Sequence, residues 1–153
     1  MPTYYKAFNH DLTGWNDYQF APGETFTDEE GLYYADTISK CLATYNDPDS
    51  RVFEVQIDGP CYKRIDFDGS VAYQAKSITL LRELSKAEIA DILIAENCSL
   101  ERAVLFGLDF ETLCRFKRQK LTSDQQYAIQ QSRYLTTEEK IQLLKRHKKA
   151  WFR

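Results

Sequence analysis

Five helix-opening signatures crowd together between Ser85 and Glu139: Ser85-x-x-Glu88, Ser99, Asp109, Ser123-x-x-Gln126 and Thr136-x-x-Glu139. Each offers a side-chain oxygen to the unpaired N–H groups of a first turn, and a Glu or Gln three residues later can reach back to the cap. Starts this closely spaced leave no room for a long helix. From Ser85 onward the chain must therefore form short helices, each too short to persist alone and each needing neighbours to cover its apolar stripe. The stripes are readable: Ile89, Ile92 and Leu93 in the first helix, then Leu100, Ala103, Val104 and Phe106 in the second. Gly107 ends the second, and the third is expected over Phe110 to Lys120, burying Phe110, Leu113 and Phe116. The fourth carries Tyr127, Ile129 or Gln130, and Tyr134. The fifth runs from Glu138 to about Lys149, with Ile141, Leu144 and Trp151 on one stripe.

The first half has a different period. Tyr4 to Phe8, Asp17 to Phe20, Thr25 to Thr27, Leu32 to Ala35 and Arg51 to Asp58 are short runs rich in aromatic and β-branched residues. Turn formers separate them: Asn9-His10-Asp11, Pro22-Gly23 and Gly59-Pro60. Asp28-Glu29-Glu30 before Gly31 reads as a solvated loop. Asp36 or Thr37 opens one helix through Ile38, Cys41, Leu42 and Tyr45, and Cys61 to Phe67 and Val71 to Leu84 supply further strands. The fold class expected is thus α+β: a small, mostly antiparallel sheet with one helix over residues 1–84, followed over 85–153 by an all-α five-helix, helix-turn-helix-like bundle whose central pair spans 99–120.

Charge divides at the same place. Through Leu84 there are seven Lys and Arg against fourteen Asp and Glu, and from Ser85 there are thirteen against nine. Between Arg115 and Arg153 the tally is eleven basic to three acidic. A polyanion would meet the basic end, through Arg115, Lys117, Arg118 and Lys120. A protein partner would meet the acidic half, through Asp28, Glu29 and Glu30.

Little points to chemistry. The cysteines (Cys41, Cys61, Cys98, Cys114) show no paired spacing and no nearby histidine, so no metal or cofactor is expected and the thiols read as reduced. His10 lies in a turn, no Ser or Cys has a marked base partner, and no glycine-rich phosphate loop follows a strand. No apolar run reaches the roughly 18 residues of a membrane span, and the start of the chain lacks a secretory pattern, which makes a cytoplasmic address in a host cell the expectation.

Two resemblances carry the functional expectations. Lys6-Ala7-Phe8-Asn9-His10-Asp11-Leu12, Tyr18-Gln19-Phe20 with Gly23, Gly31-Leu32-Tyr33, Arg51 to Val55 with Gly59, and Ala75 to Ile78 through Arg82-Glu83-Leu84-Ser85 follow one another in order. Together they resemble a domain of unknown function common in phage and prophage proteins. That resemblance implies a phage setting and supplies no mechanism. Where that family often has His and Cys, this chain has Tyr33-Tyr34-Ala35. From Ser85 to about Ala150 the helix spacing is similar to Cro/repressor-type DNA-binding domains. In those the third helix faces base edges, and here Asp109 and Glu111 stand at that point.

The expectation is a non-enzymatic phage-type binding protein acting on a host protein or complex, as regulator or as counter-defence inhibitor of an anti-CRISPR-like kind. The alternatives are a helix-turn-helix repressor on double-stranded DNA, as a homodimer if it reads a palindrome, and a small enzyme resembling ADP-ribosyltransferases. No membrane partner is expected.

Overall fold

The computed structural model describes residues 2–13, 19–65, 67, 69 and 71–148. The chain divides into two compact units, one of Met1–Tyr45 with Asp49–Ile89, the other of Asn46–Pro48 with Ala90–Arg153.

The first unit is a four-stranded antiparallel sheet. Its strands are β1 (Tyr4–Phe8), β2 (Thr25–Tyr34), β3 (Arg51–Ile65) and β4 (Val71–Glu83), in the spatial order β1-β3-β4-β2. Helix α1 (Ile38–Cys41) follows β2, capped by the Thr37 hydroxyl, which accepts from the Lys40 N–H. Register places Tyr4, Lys6 and Phe8 opposite Val55, Phe53 and Arg51. That face holds a core of Phe8, Phe20, Phe53, Val55, Ile78 and Leu80. Tyr5 and Ala35 exchange both backbone hydrogen bonds, at 2.8 and 2.9 Å, so the two outer strands of the sheet also meet.

Two segments expected to interrupt strands lie inside them. Gly59-Pro60 does not turn the chain; β3 continues to Ile65, and the pairing passes from Asp58↔Ser77 to Cys61↔Ala75 with one extra residue on β3. Gly59 sits at φ +72°, and a bulge and a turn ask for the same glycine, so local sequence does not separate them. Likewise Asp28-Glu29-Glu30 is part of β2 rather than a loop. The ladder to β4 breaks between Thr27 and Leu32 and resumes. Both bulges fall opposite Lys76. Of the strand expected over Asp17 to Phe20, Asp17 and Tyr18 lie outside the described residues, while Gln19 bridges Thr13 and Phe20 is buried.

Helices follow the sheet: α2 (Lys86–Ala95), α3 (Leu100–Leu105), α4 (Phe110–Leu113), α5 (Ser123–Gln131) and α6 (Thr137–Lys148), α2 spanning the division between the units. The caps hold. Ser85 and Glu88 form a reciprocal box at 3.1 Å each way, and so do Thr136 and Glu139 at 2.9 and 3.1 Å. On α5 the box is Thr122 with Gln125, one residue earlier than Ser123 with Gln126.

The expected all-α five-helix bundle is not what the chain forms. α3 has six residues and α4 four, one turn instead of a helix to Lys120. After Leu113 the bonds tighten to i→i+3, from Arg115 N–H to Thr112 and from Phe116 N–H to Leu113. The Gln119 N–H then bonds to the His147 ring, which a helical residue 119 would not do. Phe116 is buried while Arg115, Lys117, Arg118 and Lys120 are exposed, so no apolar stripe is left to hold a longer helix. In α6 the buried stripe is Leu143 and His147; Ile141 is 43% exposed, and Trp151 lies outside the described residues.

Candidate functional site

The second unit carries a groove of about 530 Å³ along α3 and α5. Helical spacing builds it. Glu101, Val104 and Leu105 stand at i, i+3 and i+4 on α3, and Asp124, Tyr127, Ala128 and Gln131 repeat that spacing on α5, so each helix offers one continuous stripe. Val104 and Ala128 are buried and form the floor. Leu105 (44% exposed), Tyr127 (64%) and Tyr134 (60%) form walls that remain open to solvent.

Its charge is lopsided. Asp47, Glu101 and Asp124 line it against one guanidinium, that of Arg133. Glu101 and Asp124 also occupy the first turns of their helices, where the helix dipole favours a carboxylate. The helix ends explain why acids are tolerated at these two positions; they do not explain why both face one apolar groove.

The basic residues expected to meet nucleic acid lie elsewhere in this unit, on the segment after α4. Arg115 donates to the Asp91 carboxylate at 2.8 Å, an exposed ion pair. Lys117, Arg118 and Lys120 are exposed on non-helical chain. Arg146 donates to the Phe116 carbonyl at 3.4 Å, and His147 Nδ1 accepts from the Gln119 N–H at 3.2 Å, which pins this segment to α6. His147 is fully buried, and burial first, then the charges of Arg146 and Arg118, push its pKa below the ordinary value. Its ring is therefore neutral, with the proton on Nε2. Asp109 is committed to the Thr112 N–H as a cap; hydrogen bonding from the Thr112 side chain first, and then from that N–H, lowers its pKa, and Glu111 is exposed.

The acids expected to meet protein sit on the β2 bulge of the first unit. Glu29 and Glu30 are exposed, and Asp28 accepts from the Glu30 N–H at 2.8 Å. Charge on an outermost strand also discourages edge-to-edge pairing, which accounts for these residues without a partner.

One group in the first unit escaped sequence reasoning. Lys6 lies on the core face, its ammonium 5.6 Å from the ring centres of both Phe8 and Phe20 and 2.6 Å from the Tyr33 carbonyl. Desolvation lowers its pKa to about 8, with Cys41 partly opposing. The alternation Tyr4-Lys6-Phe8 was the available signal, since period two puts the lysine inside. Tyr127 and Tyr134 were missed for the opposite reason. Size placed them in a core, whereas Gln125, Ala128 and Ile129 are the buried residues of α5. Among the described residues no group of three or more His, Cys, Asp or Glu side chains is placed to hold a metal ion.

A family model described as a domain of unknown function (DUF7666) matches residues 3–92, more than half of the chain. The chain belongs to this family. The DUF7666 match takes in the whole sheet and most of α2 and stops short of α3, so the groove and the basic segment lie beyond it. No curated protein and no solved structure matches the chain significantly.

Proposed function

We propose that this DUF7666-family protein is a non-enzymatic binding protein that engages a host protein, acting in the host cytoplasm in a phage setting as a regulator or counter-defence inhibitor of an anti-CRISPR-like kind. One observation supports the reading before all others: the groove along α3 and α5, whose exposed walls are Leu105, Tyr127 and Tyr134. Tyrosine brings large contact area at small entropic cost, and aromatic residues are enriched where proteins meet. Charge gives the encounter its direction, since carboxylates on the rim steer a complementary surface.

A second reading rests on Lys117, Arg118 and Lys120, which are exposed and could grip phosphates without reading sequence. A four-residue α4 has no length to lie along a groove of DNA, so base recognition has little support.

Affinity capture from host lysate tests the main reading, comparing the wild-type chain with the Tyr127→Ala, Tyr134→Ala double variant. The expected result is a retained host protein that the double variant loses. Retention of nothing, or equal retention by both, overturns it. A gel shift at two salt concentrations tests the second reading, which falls if low salt gives no shift.

A further inference from the structure

We infer that the groove of the second unit takes a cationic, apolar-anchored polypeptide segment, one that presents Leu or an aromatic side chain to the floor and Lys or Arg to the rim. This rests on the protein-binding reading above and names the chemistry of the partner. The floor residues Val104 and Ala128 are small or branched and buried, so the space between the walls is set by Leu105, Tyr127 and Tyr134, all of which remain solvated. An apolar side chain seated there removes its own surface and that of three large neighbours from water.

The rim then selects the charge. Asp47, Glu101 and Asp124 outnumber Arg133, and neither Glu101 nor Asp124 has an ion-pair partner among the described residues. An acidic segment would bring like charges together over an apolar surface of low polarisability, whereas Lys or Arg would pair with the carboxylates. The tyrosines favour the same choice, because a cation can also rest on a ring face and its aliphatic stem can cover the ring edge. The spacing fits a side chain at every third or fourth residue, since the two stripes that form the walls repeat at i, i+3 and i+4.

The test uses the full chain and three fluorescein-labelled synthetic peptides, with binding read by fluorescence anisotropy. One has Leu at helical spacing with Lys and Arg between, one has Glu in place of the Lys and Arg, and one keeps the cations with Ser in place of Leu. The first is expected to bind saturably and more weakly as salt rises, and the other two at least about tenfold more weakly. Neutralising the rim with Glu101→Gln and Asp124→Asn should weaken the first peptide about tenfold, while Glu29→Gln with Glu30→Gln on the β2 bulge leaves it unchanged. Equal binding of the Glu peptide, or a larger loss from the bulge variant than from the rim variant, overturns the inference. If lysate capture depends on Tyr127 and Tyr134 but the cationic peptide does not bind, the partner chemistry is wrong and the protein-binding reading stands. If neither occurs, both fall.

Discussion

The two units hold their shapes by different means. In the first, stability comes from ladders between residues far apart in sequence, such as Tyr4 with Val55 and Thr25 with Thr79, and from a core of interlocked aromatic rings. In the second, short helices are fixed at their starts by caps three residues long, and α3, α4 and α5 then contribute three, one and three buried side chains. Both units leave large side chains exposed: Tyr33, Tyr62, Ile65, Phe67 and Leu81 on the first, and Leu105, Tyr127, Tyr134 and Ile141 on the second. In the helical unit three of them, Leu105, Tyr127 and Tyr134, gather along one groove.

The largest effect expected is in the sheet core. Phe53, 1% exposed and edge-on to Phe8, should cost about 3–5 kcal/mol when replaced by Ala, read by chemical denaturation of the full chain. A cost below that of Ile129→Ala, expected at about 2–5 kcal/mol, would break the ranking of an aromatic core over a thin helical one.

A second substitution probes the bulge. Gly31 stands at φ +99°, and an added Cβ would lie 3.1 Å from Gln74 Cβ, so Gly31→Ala should cost about 1–2 kcal/mol from backbone conformation alone. A neutral result would mean the β2 bulge relaxes freely. In the helical unit the matching local test is Asp109→Ala, which removes the bond to the Thr112 N–H and should cost about 1 kcal/mol.

The remaining effects are pH effects, and they separate the units by pH window: stability rises with pH in both, near neutrality for the helical unit and in alkali for the sheet. His147 is held neutral with a pKa below 6.5, so the unfolded chain takes up its proton first as pH falls, and stability drops below about pH 6.5. His147→Asn, which keeps an acceptor for the Gln119 N–H, should flatten that drop in melting temperature. Lys6, lowered from 10.5 to about 8, releases its proton first in the folded state, so stability rises as pH climbs from 8 toward 10.5; Lys6→Met should remove the rise. Above pH 10 Tyr34, raised to about 12 by burial, opposes it, since the unfolded chain then ionises first.

What the sequence reveals follows the range of each interaction. Ser85 with Glu88, Ser99, Asp109 and Thr136 with Glu139 were legible because cap and partner lie three residues apart. The end of α4 was not, because it depends on His147, 28 residues beyond the Gln119 N–H it receives. Gly59-Pro60 carried a correct signal for a left-handed glycine, and only the continued pairing with β4 makes it a bulge. The groove was half legible: the stripe of Asp124, Tyr127 and Ala128 is visible as a period, but its direction depends on which face Ile129 and Gln125 bury.

The most direct test of the central claim is hydrogen–deuterium exchange of the full chain alone and with the host protein it captures. New protection is expected over residues 101–105 and 124–134, where the groove lies, with the β2 bulge at 28–30 and the basic segment at 115–120 exchanging as before. Protection confined to 28–30 or to 115–120, with the groove unchanged, would contradict it.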